Sequence, residues 1–487
     1  MTTTERDSSK LPVLTQAVYS TGQFVDSVSS TIIAAFLFFY LTAVCGLSGT
    51  LTGVSLFVAL LVDGFVDPFV GSLSDNTTSR WGRRHLYMFA SFPMMLVGLG
   101  MLFSVPATLT GWPLFAYVTG MALILRIGLS AYIVPYIALG AELTDDYLVR
   151  SHVIAWRSAL SVPATIAPIV LGYGVFLSAK GGLLDRAAYI PLGWSCGVLL
   201  CAFGALAAFG TLGSLGRLHR AVPSADHPLR RMAREVPEVF RNRSFLILFF
   251  TVLIFFVAQG TAAALGTHGG KYFWLLTTPQ FQFLGIASAL GLFIGIPIVA
   301  VLGPRVEKKT MTLWSLAYIC IAQAGMPLLR IAGLVPQHSV VLVLAINNAL
   351  VYGAVTVLAV AFQSMMADAA DEHELLFGAR REGLYFSGIT FSTKAASGLG
   401  SLIAGFAMDL IHFPYAIAEK GGEGLHLAPE LVRNLGLLYG VAPAAMTLIC
   451  IAVNAFYRID RHAHTRIQHE LTARRAAAAS QSPETVV

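Results

Sequence analysis

Apolar and polar positions in this chain separate into long blocks instead of alternating residue by residue. Stretches of about 20 apolar residues recur between short polar connections, each long enough to cross a hydrocarbon core roughly 30 Å thick. Read in order, they predict twelve helices over roughly 18–45, 51–74, 86–106, 112–140, 152–178, 190–213, 244–267, 281–302, 311–333, 339–367, 384–411 and 431–457. The longest polar connection, 214–243, follows the sixth helix and holds Pro223, Pro228, Pro237 and seven arginines. It splits the chain into a first half at 1–213 and a second half at 244–457, with a polar tail at 458–487. Short amphipathic helices lying on a membrane surface fit the connection. The tail reads as mobile beyond about residue 470.

Composition narrows the class further. Of 487 residues, 56% are hydrophobic and 12% charged, against about 25% charged in soluble proteins. So little polar surface excludes a soluble enzyme, a nucleic-acid binder and a disordered scaffold. The expected fold class is an all-α membrane protein. The net charge of +6 gains meaning from its placement. Roughly 24 lysines and arginines fall on the side shared by both termini and about 6 on the other, the positive-inside bias of short loops. Both termini are therefore expected in the cytoplasm, in a plasma membrane (the inner membrane if the cell is bacterial). The N-terminal MTTTERDSSK has no signal-peptide character, so the first span is expected to act as an uncleaved insertion signal. The five cysteines form no CxxC pair and read as packing residues.

Charges inside the apolar blocks need a reason to be there, since each costs about 2.5–3.5 kcal/mol on insertion scales. Helix 2 contains LLVDGFVDPFVGSLSD. Asp63 and Asp67, four apart, project from one face about one turn from each other. Pro68 lacks an N–H and frees the carbonyl of Gly64. Together these make either an oxygen-rich niche for Na⁺, or for H⁺ once repulsion and burial favour a neutral acid, or simply a pair of acids neutralised by basic neighbours. Lys394, midway along helix 11, needs an anionic partner, and the two aspartates are the natural candidates. Beyond it, Ser397, Ser401 and Gly405 form a stripe that admits a close neighbouring helix. Arg126 lies midway along helix 4 with Ser130 one turn further, and Asp26 in helix 1 is a candidate partner for it. Arg157, at the start of helix 5, either reaches the cavity or faces headgroups. Gln23, Gln259, Asn347 and Asn348 either line a pathway or join helices.

Other motifs bear on mechanism mostly by exclusion. No GxxxxGK[ST] occurs, so no phosphate-cradling ATP engine is present, and no HExxH or Cys/His set suggests a catalytic metal. With no nucleophile–base constellation, the chain is expected not to be an enzyme and to use no cofactor beyond a coupling ion. Gly71 and Asp75, then Arg80, Arg83 and Arg84, sit between helices 2 and 3; Gly303, Pro304, Arg305, Lys308 and Lys309 form a degenerate counterpart between helices 8 and 9. Such loops either latch the two halves together or simply set topology. Asp368, Asp371, Glu372, His373 and Glu374 read as a loop forming ion pairs with Arg380 and Arg381.

Two six-helix halves with both termini on one side is the plan of the major facilitator architecture. Within it, DGFVDPFVGSLSDNTTSRWGRRH, VPYIALGAELTDDYLVR, MMADAADEHELLFGARREGLYF and the following Lys394 resemble the glycoside–pentoside–hexuronide:cation symporters, the melibiose-carrier-like family. Animal sodium-dependent lysolipid transporters share that plan. The resemblance covers nearly the whole chain and implies a secondary active symporter working by alternating access. It implies cation binding by Asp63 and Asp67 with Ser130 assisting, Lys394 nearby and Arg157 at the solute cavity. On the cytoplasmic side, Asp75, Arg80, Arg83, Arg84, Glu142, Asp146, Arg150, Asp368, Asp371, Arg380 and Arg381 are the candidates for a gate of ion pairs that break and re-form.

One departure from the family concerns the solute. The melibiose-type carriers grip sugar hydroxyls with carboxylates on helices 1 and 4 and a tryptophan beside them. Here those places hold Ser27, Ile133 and Ile137, with Asp26 one residue away. The loss of the helix 4 acid and the presence of Arg126, Arg157 and Lys394 suit a ligand bearing a carboxylate or phosphate. A neutral glycoside held by Tyr132, Tyr136 and amides, and a zwitterionic lysolipid, stay open. The expected partners are a small-molecule solute, a coupling cation and the lipid bilayer, with no nucleic acid and a monomer as the default.

Overall fold

A computed structural model describes residues 11–77, 79–144, 146–179, 181–213, 239–378, 382–418 and 427–481. Its long helices follow the apolar blocks and are labelled α1 (Val13–Val44), α2 (Gly49–Asn76), α3 (Arg83–Leu102), α4 (Gly111–Glu142), α5 (Leu148–Phe176) and α6 (Arg186–Thr211) in the first half. The second half comprises α7 (Arg243–Phe273), α8 (Thr278–Leu302), α9 (Lys308–Ile331), α10 (Val340–Phe377) and α12 (Pro429–Ala455), with α11 (Glu382–Leu410) between the last two. All but α11 carry a window apolar enough to cross a membrane; α11, 29 residues long, packs between α2 and α7. Among the described residues there is no strand.

The main corrections fall at helix ends, where charge takes over from hydropathy. α10 runs to Phe377, so the acidic cluster 368–374 is helix and not loop. ADAADEHELLF is rich in good helix formers, and Gly378 ends the helix in a left-handed conformation, φ 77°. Arg380 and Arg381 lie outside the described residues, as does most of the 214–243 connection. The tail forms a further helix, α13 (Arg461–Gln481), instead of becoming mobile near 470. Ile467 and Leu471, one turn apart, are buried as α13 packs along the extension of α10.

The two halves meet at the end opposite the basic loops. There the backbone N–H groups of Ala416 and Ala418 donate to the carbonyls of Thr42 and Ala43, both at 3.2 Å. Thr42 Oγ1 and His268 Nε2 lie 3.0 Å apart, Thr267 donates to the Ala35 carbonyl at 2.6 Å, and the rings of Tyr173 and Phe281 stack with centroids 5.2 Å apart. α11 is admitted by small residues on two sides. Its backbone at Ser401 and Leu402 meets Gly53 of α2, and at Gly400 it meets α7. At the end of this seam Gly49 and Gly405 face each other, and a Cβ on Gly405 would come within 2.0 Å of the Gly49 carbonyl oxygen. No other residue allows that approach.

Candidate functional site

Midway along the α2–α11 seam, three charges from the two halves converge. Asp63 is buried, 3% exposed. Its Oδ1 accepts from Ser130 Oγ at 2.6 Å, and its Oδ2 lies 2.8 Å from Lys394 Nζ. The same ammonium lies 2.5 Å from Asp67 Oδ2. The i, i+4 spacing on α2 thus brings both acids to one side, as the sequence predicts, and Lys394 bridges them. The other oxygen of the second acid, Asp67 Oδ1, is buried without a hydrogen-bond partner. Such an orphaned lone pair is costly away from water and suits a small cation. Gly64, between the acids, leaves room for the Phe391 ring, which lies 2.8 Å from where a Cβ would stand. That ring stands one turn before Lys394 on α11.

Arg126 reaches the cluster from α4. Its Nη1 is 4.0 Å from Asp63 Oδ2, and its stem borders a narrow crevice lined by Ile33, Leu37, Leu56, Ala59, Leu102, Ala122 and Leu125. Its ion-pair neighbour is thus Asp63 and not Asp26. Asp26 is exposed and accepts from Gln23 Nε2 at 3.1 Å, while remaining within electrostatic reach of Arg126, Arg157 and Lys394.

Arg157 points into the protein instead of toward headgroups. Its Nη2 and Nε donate to Gln23 Oε1 at 2.9 and 3.2 Å, and its guanidinium lies over the Tyr136 ring, 5.1 Å from the centroid. Gln23, Ile154, Arg157, Ser158 and Ser161 line a cavity of about 300 Å³. Tyr136 therefore meets the cavity through Arg157. Tyr132 does not: it is fully buried and its hydroxyl donates to the Gly204 carbonyl of α6 at 3.2 Å. Aromatic character alone gave the two tyrosines equal standing, but positions four apart on a tightly packed helix part company where a neighbouring helix leans in.

Among the described residues, the basic loops form the following ion pairs within each half. Arg84 Nη2 lies 2.5 Å from Asp75 and 2.8 Å from Glu142, and its Nη1 donates to Ser74 Oγ at 2.7 Å. Arg83 lies 2.8 Å from Glu142. The second-half counterpart joins Lys308 to Asp368 at 2.7 Å, with His464 of α13 at 3.3 Å from the same acid. Gln468 donates to Asp371 at 2.7 Å, and Arg475 lies 2.7 Å from Glu374. Three candidates behave otherwise. Arg80 is exposed. Asp146 caps α5, accepting from the N–H groups of Leu148 and Val149. Arg150 donates to the carbonyls of Ala141 and Thr144 and fixes the α4–α5 turn. Sequence reasoning passed over Asp409, His464 and Gln468, since a polar residue at a helix end or in a polar tail carries no local signal.

Comparisons with known proteins agree with this architecture. The family model described as MFS/sugar transport protein matches residues 18–461. The chain is 24% identical to the glucuronide carrier protein homolog of Escherichia coli, over 94% of this chain and 95% of that one. It is 25% identical to the sphingosine-1-phosphate transporter MFSD2B of Xenopus tropicalis, over 95% and 91%. The solved structure of a bacterial homologue of the iron transporter ferroportin, in an inward-facing state, superposes with a TM-score of 0.63 at 12% identity, over 92% of this chain and 99% of that one. That last likeness shows the major facilitator fold. With the family model spanning nearly all twelve helices, the chain belongs to the MFS/sugar transport protein family and is a multi-span membrane transporter, not an enzyme.

Proposed function

We propose that this transporter is a secondary active symporter that moves a glycoside-type solute with Na⁺ or H⁺ by alternating access, as a monomer in the plasma membrane with both termini cytoplasmic. The observation that carries this reading is the Lys394 ammonium seated on Asp63 and Asp67 at mid-span. It occupies the place a coupling cation would take, with Ser130 already donating to Asp63 and Asp67 Oδ1 still without a partner. A cation arriving there competes with the lysine. Two carboxylates balance the lysine and one cation, but with the Arg126 guanidinium 4.0 Å from Asp63 the cluster then carries excess positive charge.

That excess points to the solute. Asp26, Asp63 and Asp67 face Arg126, Arg157 and Lys394, so the central charges balance before an ion enters. One added cation leaves one positive charge uncompensated among these groups, and an acidic group on the solute balances it. Arg157, whose side-chain acceptor among the described residues is the neutral amide of Gln23, is the group that would receive it. Ion and solute then each bind more tightly in the presence of the other, which is the thermodynamic content of symport. The 24% identical relative named a glucuronide carrier fits such a solute.

A second reading has an observation of its own. Phe65 and Phe69 of α2 and Phe391 of α11 are exposed, at 67%, 64% and 41%, beside the acid pair. They would suit the acyl chain of a lysolipid whose headgroup meets Arg157 and Lys394, and the relative named as a sphingosine-1-phosphate transporter belongs here. One experiment tests both readings: uptake of labelled glucuronides, neutral glycosides and lysolipids into proteoliposomes, driven by a Na⁺ or a pH gradient. Gradient-driven accumulation that survives in both Asp63→Asn and Asp67→Asn defeats the assignment of the ion site to this pair, and uptake that neither gradient drives in the unsubstituted protein defeats the symporter reading. Uptake competed by lysolipid and not by any glycoside selects the second.

A further inference from the structure

At the end of the seam opposite the basic loops, a carboxylate of one half closes onto the first turn of a helix of the other. α2 begins after Ser48, whose side chain accepts from the Leu51 N–H at 3.3 Å. The N–H groups of Gly49 and Thr50 have no acceptor within their own helix. Asp409, in the last turn of α11, supplies one to each: Oδ1 accepts from Gly49 at 3.2 Å and Oδ2 from Thr50 at 2.9 Å. The hydroxyl of Tyr415 donates to the same Oδ1 and fixes the carboxylate from behind. A negative group at a helix N-terminus is favoured by the aligned peptide dipoles as well as by the hydrogen bonds.

Geometry makes this contact dependent on conformation. Gly49 and Gly405 bring the two backbones into direct contact beside it, so any parting of α2 from α11 at this end pulls both oxygens off both N–H groups. Asp63 and Lys394 join the same two helices at mid-span. The pair is thus pinned twice, once where a coupling ion would compete and once at the mouth.

We propose that Asp409 is the outer latch of the transporter: a positioning residue whose two-pronged grip on the start of α2, steadied by Tyr415, holds the mouth opposite the basic loops shut and is released whenever that mouth opens. The basic-loop pairs of Arg84 with Glu142 and of Lys308 with Asp368 stay within one half, whereas Asp409 spans the two.

Spin labels across the mouth test this directly. Trp112, at the start of α4, and Leu334, after α9, are 70% and 68% exposed at this end, one in each half. Pulsed electron–electron distance measurements on purified protein, without solute or Na⁺, are expected to show mainly the closed distance. Asp409→Ala is expected to raise the open fraction about tenfold, Asp409→Asn and Tyr415→Phe by less, and Asp409→Glu to restore closure in part. An unchanged distribution in Asp409→Ala, or a fall in melting temperature without any new distance, overturns the proposal. Should that variant fail to fold, Tyr415→Phe decides, and an unshifted distribution there overturns it equally. The readout needs neither ion nor solute, so its failure is distinct from a failure of the symport reading.

Discussion

The Lys394 ammonium stands 2.8 Å from the Asp63 carboxylate, on a helix of the other half and within a hydrogen bond of the second acid of the pair. A lysine so placed is a built-in occupant of a cation site. Removing it leaves two carboxylates facing each other with Arg126 only at 4.0 Å. Lys394→Ala is therefore expected to lower stability by about 2 kcal/mol in choline buffer, at the low end for a broken ion pair because the lysine is 28% exposed and partly screened. Addition of Na⁺, or acidification, should recover most of it as an external cation replaces the lost one. Thermal melts in choline and in Na⁺ at two pH values measure this. Equal melting temperatures across all four conditions would count against a cation site there.

Ser130 offers a finer probe of the same acid. Its hydroxyl donates to Asp63 at 2.6 Å and is 2% exposed, so Ser130→Ala removes one buried hydrogen bond worth about 1 kcal/mol. Ser130→Thr retains it. Cation affinity, read as the Na⁺ concentration that half-saturates the thermal shift, is expected to weaken about fivefold in the alanine variant and much less in the threonine variant. If the two variants behave alike, the hydroxyl has no part in the site.

Arg157 separates solute from ion. Its guanidinium both forks onto Gln23 and lies over Tyr136, geometry that a lysine cannot reproduce. Arg157→Lys is expected to raise the solute KM about tenfold or more while leaving the Na⁺ dependence of the melting temperature in place. Equal losses in both measurements would place Arg157 in the structure of the bundle and not at the solute.

The mid-span charges were legible because hydrophobic surroundings make any charge conspicuous and because i, i+4 spacing on a helix needs no tertiary knowledge. Asp63, Asp67, Ser130 and Lys394 meet as their positions imply. Partner choice was harder to read. In sequence the candidate partner of Arg126 is Asp26, whereas the fold brings its guanidinium to 4.0 Å from Asp63. The ends of the helices were least legible, since neither hydropathy nor spacing tells a capping Asp146 from an ion-pairing one, or marks Asp409 as bridging two halves.

The tail helix supplies a test of how the second half is held together at the basic end. Asp368 is 5% exposed, and it is shielded by Lys308 from α9 and His464 from α13. The apolar side chains Ile467 and Leu471 seal that contact. In the full chain the Asp368 carboxylate is thus shielded from water, although Lys308 is 41% exposed, and Lys308→Ala is expected to cost about 2 kcal/mol by leaving a buried carboxylate short of its cation. In a chain ending at Asp460 the carboxylate meets water, and the same substitution should cost under about 1 kcal/mol, as for a surface pair. The difference is a coupling energy between tail and loop of about 1 kcal/mol or more, measurable from denaturant melts of the four proteins in a double-mutant cycle. Strict additivity of truncation and Lys308→Ala would show that α13 covers the end of α10 without shielding the pair. Unaltered solute KM throughout would confine this clamp to stability, away from the ion site at mid-span.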